Sequence, residues 1–303
     1  MDITNIQGNT YYIKGGTNTG VYIYNDSTAL IIDPGLGGLR PKRIIKALDD
    51  KDIEIKYIIN THEHNDHYGA CNQFKERYNN AKLLSSEYSR LYIEHPELFS
   101  KYIMGGRSNS FMDGILKGKS LGKVSIDAVI EEGVVTLNEV DFNIIEFKGH
   151  TPGSIGVLTK DKVLFVGDLL IGDEILDKYD FLFLFDIADY KESLNKLKYL
   201  DFNYIVEGHG KRIIEKTDCR RIIEKHEKSI DKYLNQVRNM INEPITLENI
   251  LKNIINNNKL SNNYKEYHFF KSSLVSLISH LIDLDEIMYK LSDGELLYYT
   301  KKK

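Results

Sequence analysis

The chain has 303 residues, 42% of them apolar and 28% charged, with a formal net charge of −4. This is the composition of an ordinary globular protein with room for one large domain and a smaller one, and the weak negative charge argues against nucleic acid or an anionic membrane as a general partner. Cys71 and Cys219 form no pair motif, no apolar run is long enough to be a transmembrane helix, and the N-terminus lacks a basic stretch followed by an apolar one. The expected address is therefore the cytoplasm, with reduced thiols and no membrane association.

In chain order, residues 9–33 predict three short strands, at 10–14, 21–24 and 29–32, with Gly15-Gly16 and Asn25-Asp26 as the turns between them. Asp33-Pro34-Gly35 ends the third. Residues 40–48 have helical spacing, with Ile44, Ile45 and Leu48 inward. Residues 54–60 are β-branched and apolar, which predicts a buried strand, and helical spacing resumes from Tyr68 to about Tyr78. Residues 85–127 carry enough aromatic and aliphatic side chains for one or two helices, interrupted by Gly105-Gly106 and by the run from Gly114 to Lys123. From Ala128 the pattern is strand-rich, with strands expected at 129–131, 134–137, 142–148, 155–159 and 163–166. The alternation Phe181-Leu182-Phe183-Leu184-Phe185 reads as a core strand, with a pocket wall as the other reading. A helix is expected at 189–200, with Asp189 as N-cap and Glu192 completing a capping box, and 202–206 is the last strand of this part. After residue 217 the pattern changes to three helices, at 222–241, 246–255 and 272–284. Two short strands around Asp293-Gly294 then form a hairpin.

The chemistry is concentrated at one place. His62, His64, Asp66 and His67 fall within six residues at the end of the predicted strand 54–60. Imidazole and carboxylate are nitrogen and oxygen ligands for Zn²⁺. His62 and His64 are two apart, so an extended chain points them the same way. Asp66 and His67 fall where the chain turns into a helix and can face a second position. One strand end can thus supply two neighbouring metals. Three further candidates each follow a β-type run: His150 in Gly149-His150-Thr151-Pro152-Gly153-Ser154, Asp168 in Val166-Gly167-Asp168, and His209 in Glu207-Gly208-His209-Gly210.

His-x-His-x-Asp-His, with these three later motifs in order, resembles the signature of the metallo-β-lactamase-fold hydrolases, over roughly residues 8–215. The resemblance implies an αββα sandwich over residues 1–217 with metals at one edge, His62, His64 and His150 on the first, Asp66, His67 and His209 on the second, and Asp168 bridging. Two Zn²⁺ suit a donor set without thiolate, and Fe²⁺ or Mn²⁺ fit the same ligand types. Two metals about 3.5–4 Å apart lower the pKa of a shared water toward 7, giving a metal-bound hydroxide that attacks an ester, thioester, lactone or amide carbonyl. Asp66 is the candidate proton carrier. Tyr68 is the first candidate oxyanion donor, ahead of Tyr179 and Tyr190, and Asp33 is a candidate to orient a ligand from behind.

The Gly-His-Thr-Pro-Gly-Ser and Gly-Asp elements look closest to glyoxalase II-like thioesterases and lactonases, so a small-molecule substrate is expected. Lys117, Lys119, Lys123, Arg107 and Lys148 are candidates for a cationic patch. The alternatives are a phosphodiesterase or ribonuclease, a β-lactamase and a mononuclear-iron persulfide dioxygenase. His64 stands where the flavodiiron pattern has Glu, which argues against that branch. Residues 85–127 are expected as a lid over the site or as a helical cover. Residues 218–303 resemble the winged-helix-like module that some of these hydrolases carry. They hold fourteen Lys/Arg against twelve Asp/Glu, and 272–285 contains no arginine, the commonest base reader. Packing on the catalytic part, shaping its cleft, or forming a homodimer are therefore favoured over DNA binding.

Overall fold

The computed structural model describes residues 1–116 and 123–300; the candidate patch residues Lys117 and Lys119 and the terminal Lys301–Lys303 lie outside them. A first sheet of seven strands runs in chain order, Thr4–Gln7, Thr10–Ile13, Thr19–Ile23, Thr28–Ile32, Glu54–Ile59, Lys82–Ser85 and Ala128–Val129. Its first four strands form an antiparallel meander. The last three add in parallel, with helices in the crossovers. The second sheet has six strands in the order Ile214–Glu215, Tyr204–Val206, Val163–Phe165, Ile155–Leu158, Val140–Glu146 and Gly133–Leu137.

The period of two in the strands decides how these layers stack. In Thr28–Ile32, Leu30 and Ile32 point into a core shared with Phe142, Val157 and Phe165 of the second sheet. Ala29 and Ile31, one residue out of phase, meet Ile44, Leu48 and Phe74 of the helices Leu39–Asp49 and Cys71–Arg77. A strand buried on both faces has no polar alternation, which is why its sequence reads as a continuous apolar run. The outer face of the second sheet is covered by the helix Ile187–Leu197, so the whole is an αββα sandwich.

Three expectations need correction. The short strands Thr4–Gln7, Lys82–Ser85 and Ile214–Glu215 were outside the expected set; each is four residues or fewer and takes its place from its neighbours rather than from its own pattern. The helix expected at 189 begins at Ile187, and its N-cap is Asp186, whose carboxylate accepts the Asp189 N–H at 2.9 Å. Two aspartates three apart offered two starts, and the one with extended backbone became the cap. Residues 181–185 form no strand. The N–H groups of Phe185 and Asp186 pair with the Gly149 carbonyl at 2.8 and 3.0 Å, and that of Leu184 with Ser273 Oγ at 3.2 Å, so no ladder is left to make. Phe181 and Leu184 are buried in the core, while Phe183 turns toward His64 and His150.

The helices Glu87–Glu94, Glu97–Met104 and Ser110–Leu116 occupy the stretch expected to hold one or two. The C-terminal helices are Lys216–Met240, Leu247–Asn258 and Tyr264–Asp283, followed by the hairpin Ile287–Ser292 and Glu295–Thr300. Asp293 and Gly294 both have positive φ, 52° and 83°, as a two-residue type I′ turn demands. Ile245–Thr246 pairs with the second hairpin strand to make a three-stranded sheet. The apolar faces of the three C-terminal helices share one core with Ile187–Leu197 and the outer face of the second sheet.

His226, fully buried on the helix Lys216–Met240, ties this core to the segment that follows the strand Val163–Phe165. Its Nδ1–H donates to the Ile222 carbonyl at 2.9 Å and its Nε2 accepts the Ile171 N–H at 3.0 Å. Both bonds require the neutral ring, and burial lowers its pKa from 6.5 to about 4. The unfolded chain therefore takes up a proton first as the pH falls. Stability should decline from about pH 6.5 to about pH 4, by about 3 kcal/mol from this residue. The variant His226→Gln, whose amide oxygen can still accept from Ile171, should flatten the urea midpoint across that window, and an unchanged slope would assign the pH dependence to other groups.

Candidate metal centre

Every candidate ligand sits just past a strand, at one edge of the sandwich. After Glu54–Ile59, His62 and the extended His64 face inward, and the single turn Asn65–Tyr68 presents Asp66 and His67. The parallel pairing of Val163–Phe165 with Tyr204–Val206 sets Asp168 and His209 side by side. His150 is presented by a loop that only glycine can begin. Gly149 has φ 119°, and a Cβ there would lie 2.3 Å from the Tyr190 backbone.

The seven side chains form two groups whose ligand atoms lie within 4.8 Å of one another, His62, His64, His150 and Asp168 in one, Asp66, His67 and His209 in the other. In the first, His64 Nδ1 is 3.0 Å from His150 Nε2, and Asp168 Oδ2 is 3.5 Å from His150 Nε2 and 3.9 Å from His62 Nε2. In the second, His209 Nε2 is 3.1 Å from Asp66 Oδ2 and 3.3 Å from His67 Nε2. Asp168 faces both groups, with Oδ1 3.3 Å from His67 Nε2 and Oδ2 3.5 Å from His209 Nε2. Donors about 2.1 Å from a tetrahedral ion stand about 3.4 Å from one another, and the observed separations bracket that value.

Behind the ligands a set of acceptors fixes which nitrogen faces in. His150 Nδ1 donates to the Phe183 carbonyl at 3.1 Å and His209 Nδ1 to the Gly16 carbonyl at 2.6 Å. A carbonyl can only accept, so in both rings Nε2 turns a lone pair to the site. Asp33 stands behind His67, where its candidate role places it: Oδ2 lies 2.9 Å from His67 Nδ1 and accepts the Thr61 hydroxyl at 2.7 Å. The Thr61 hydroxyl in turn stands 3.0 Å from His62 Nδ1. His62 Nε2 and Asp168 Oδ1, inside the site, are buried without a hydrogen-bond partner among the described residues. Orphaned lone pairs on imidazole and carboxylate, converging in one buried space, fit divalent cations.

Electrostatics agree with that fit. Burial and the neighbouring rings lower the pKa of His62 well below 6.5, and burial with His150 takes His64 to about 3, so both rings are held in the neutral form that ligates. Burial opposes charge on His67, but Asp168 and Asp33 outweigh it and carry its pKa to about 10. Asp168 likewise lifts His209, to about 12. The carboxylates thus create a field that stabilises positive charge where the two groups meet.

Among the tyrosines, Tyr68 lines the cleft above the site, and burial keeps its phenol protonated by raising its pKa to about 12. Tyr190 is excluded as an oxyanion donor: it is fully buried and its hydroxyl donates to the Leu169 carbonyl at 2.6 Å. Tyr179 is exposed on the wall of an adjoining groove. Of the expected cationic patch, Lys148 is paired with Glu146 at 2.7 Å. Cys71 is buried against Asn60 and Cys219 lies in the core of the second sheet, so neither thiol joins the site.

Two supporting residues escaped the sequence reading. Glu63, buried between the ligands His62 and His64, accepts the hydroxyls of Ser89 at 2.8 Å and Thr151 at 2.9 Å, joining the helix Glu87–Glu94 to the His150 loop. Asn18 donates its backbone N–H to Gly208 at 2.8 Å and its amide to the Glu207 and Gly210 carbonyls, clamping the His209 loop to the first sheet. Both bonds span long separations in the chain, and neither leaves a local pattern.

If Asp33 sets the orientation of His67, Asp33→Ala should weaken metal binding at the second group by about 10–100-fold, and by less at the first, which it reaches only through Thr61. Competition titration against a chromophoric chelator resolves the two affinities, and equal affinities in variant and wild type would remove Asp33 from the account.

A family model described as the metallo-beta-lactamase superfamily matches residues 7–209. The chain is 30% identical over 193 residues to the hydroxyacylglutathione hydrolase GloC of Haemophilus influenzae, a match covering 61% of this chain and 82% of that protein. It is 25% identical over 256 residues to hydroxyacylglutathione hydrolase 1 of Vibrio vulnificus, covering 78% and 85%. The crystal structure of a beta-lactamase domain protein from Burkholderia ambifaria superposes with a TM-score of 0.76 at 16% identity, covering 99% of this chain and 94% of that one. That overlay includes the C-terminal helices and hairpin, which the family model does not reach. The likeness in sequence, fold and paired His/Asp groups has one reading: this chain belongs to the metallo-beta-lactamase superfamily, as a metal-dependent hydrolase with a centre shaped for two metals.

Proposed function

We propose that the protein hydrolyses a thioester, with two Zn²⁺ held by His62, His64 and His150, by Asp66, His67 and His209, and by Asp168 between them. Bound there, the metals supply a water-derived nucleophile near neutral pH and polarise the scissile carbonyl. The protein's own part follows from the position of Asp66. Its side chain is more exposed than those of His62, His67, His150, Asp168 and His209, and it lines the cleft with Oδ2 3.1 Å from His209 Nε2. Burial works against its ionisation, but His209 and His67 keep its pKa well below the usual range. An ionised carboxylate at that point orients the attacking group, accepts its proton and delivers it to the leaving sulfur. The protonated Tyr68 phenol is the protein's donor to the oxygen that gains charge.

The cleft supports a small substrate. Its volume is about 330 Å³, and its walls combine Tyr68, Phe99, Ile115 and Phe269 with the polar His64, Asp66 and Lys265. Phe99 belongs to the inserted helices and Phe269 to the C-terminal segment, whose three helices and hairpin we read as a winged-helix-like module that shapes this cleft. Part of that module's positive charge is paired: Arg221, Lys225 and Lys232 with Asp173 and Asp180 of the preceding part of the chain, and Arg238 and Lys271 with Glu286 and Glu248 of the module itself. A phosphodiesterase would want such residues free along a groove. The observation that carries the carbonyl reading is the small cleft that opens on His64 of one ligand group and Asp66 of the other. The two hydroxyacylglutathione hydrolases to which the chain is similar point to the same bond type.

A panel of a thioester, a lactone, a cephalosporin and a short RNA tests this with wild type and Asp66→Ala. The thioester should be the best substrate, and the variant should lose about 10²–10⁴-fold in kcat. Turnover of RNA alone would replace this reading with phosphodiester hydrolysis.

A further inference from the structure

We infer that Ser273, on the C-terminal helix Tyr264–Asp283, is a positioning residue for His150, acting through a single peptide group. The plane between Phe183 and Leu184 has two ends. Its carbonyl accepts the His150 Nδ1–H at 3.1 Å, and its N–H donates to Ser273 Oγ at 3.2 Å. A peptide group is rigid, so tilting one end tilts the other. The Ser273 hydroxyl has no freedom to reverse roles, because its own proton goes to the Phe269 carbonyl at 3.2 Å. Proton directions are thus fixed from the helix backbone to the imidazole: Ser273 gives to Phe269, Leu184 gives to Ser273, and His150 gives to Phe183. The ring that results presents Nε2, 3.5 Å from Asp168 Oδ2.

The surroundings make Ser273 the outer support of this plane. The loop is attached on its inner side by Phe185 N–H to the Gly149 carbonyl at 2.8 Å, which sets its distance from His150 but makes no hydrogen bond to the preceding peptide. Ser273 is almost fully buried, so no water can stand in for the hydroxyl without repacking. One helical turn on, Ser276 Oγ accepts the Ile187 N–H at 2.9 Å. That bond satisfies the first turn of the helix Ile187–Leu197 and touches no peptide that contacts a ligand. The two serines are therefore a matched pair, alike in chemistry and burial and different in what they reach.

The inference rests on His150 being a metal ligand, and the experiment separates the two failures. Zn²⁺ affinities of the full chain are measured by chelator competition for wild type, Ser273→Ala, Ser273→Thr, Ser276→Ala and His150→Ala, with thermal unfolding confirming that each is folded. Ser273→Ala should weaken the first group by up to about 10-fold, the low end of the effect of removing a direct partner behind a ligating histidine, because Ser273 acts one peptide further out. Ser273→Thr, which keeps the hydroxyl, should restore it, and Ser276→Ala should lower the unfolding temperature without changing the affinity. Wild-type affinity in Ser273→Ala, or an equal loss in Ser276→Ala, would overturn the positioning role while leaving the ligand reading intact. Wild-type affinity in His150→Ala would overturn both.

Discussion

Five imidazoles and two carboxylates converge at one edge of a sandwich whose two sheets meet across a largely apolar core. Taking such groups out of water is costly when their lone pairs find nothing to bind. His62 Nε2 and Asp168 Oδ1 have no hydrogen-bond partner among the described residues. A divalent cation in each group removes that cost, so the fold and the chemistry depend on the same fact. The sheet edge is polar inside, and divalent cations there would offset what its carboxylate–imidazole pairs leave uncompensated.

The supports behind the ligands extend that constraint through the chain. Asp33 reaches His67 and, through Thr61, His62. Gly16 and Asn18, at the opposite end of the sequence, hold the His209 loop. Phe183 holds His150, and the C-terminal helices hold the loop that carries Phe183. Precision at the centre is therefore assembled from both sheets and from the C-terminal segment, whose core is continuous with the second sheet. Gly208 shows how tight the assembly is: a Cβ there would come within 2.2 Å of Asp168 Oδ1.

The ligands were legible because each carries its meaning locally. A histidine two residues from another at the end of an apolar strand, or an aspartate after Val166-Gly167, announces itself by residue type and position. The sandwich was legible for a similar reason, since runs such as Leu30-Ile31-Ile32 need two covered faces. What could not be read was whatever depends on a partner far along the chain. Phe181 to Phe185 has the alternation of a strand, yet its N–H groups were already committed to Gly149 and Ser273. Tyr190 looked available as a donor until packing put its hydroxyl on Leu169. Glu63 sat in plain view between two ligands, but its partners Ser89 and Thr151 come from two other segments.

The central claim is that two metals, one per group of ligands, occupy this edge. Elemental analysis of protein purified without chelator should find about two equivalents of divalent metal per chain, falling to about one in His209→Ala, which disables only the second group. A metal-free protein that takes up none on titration, or a metal content untouched by that substitution, would contradict it.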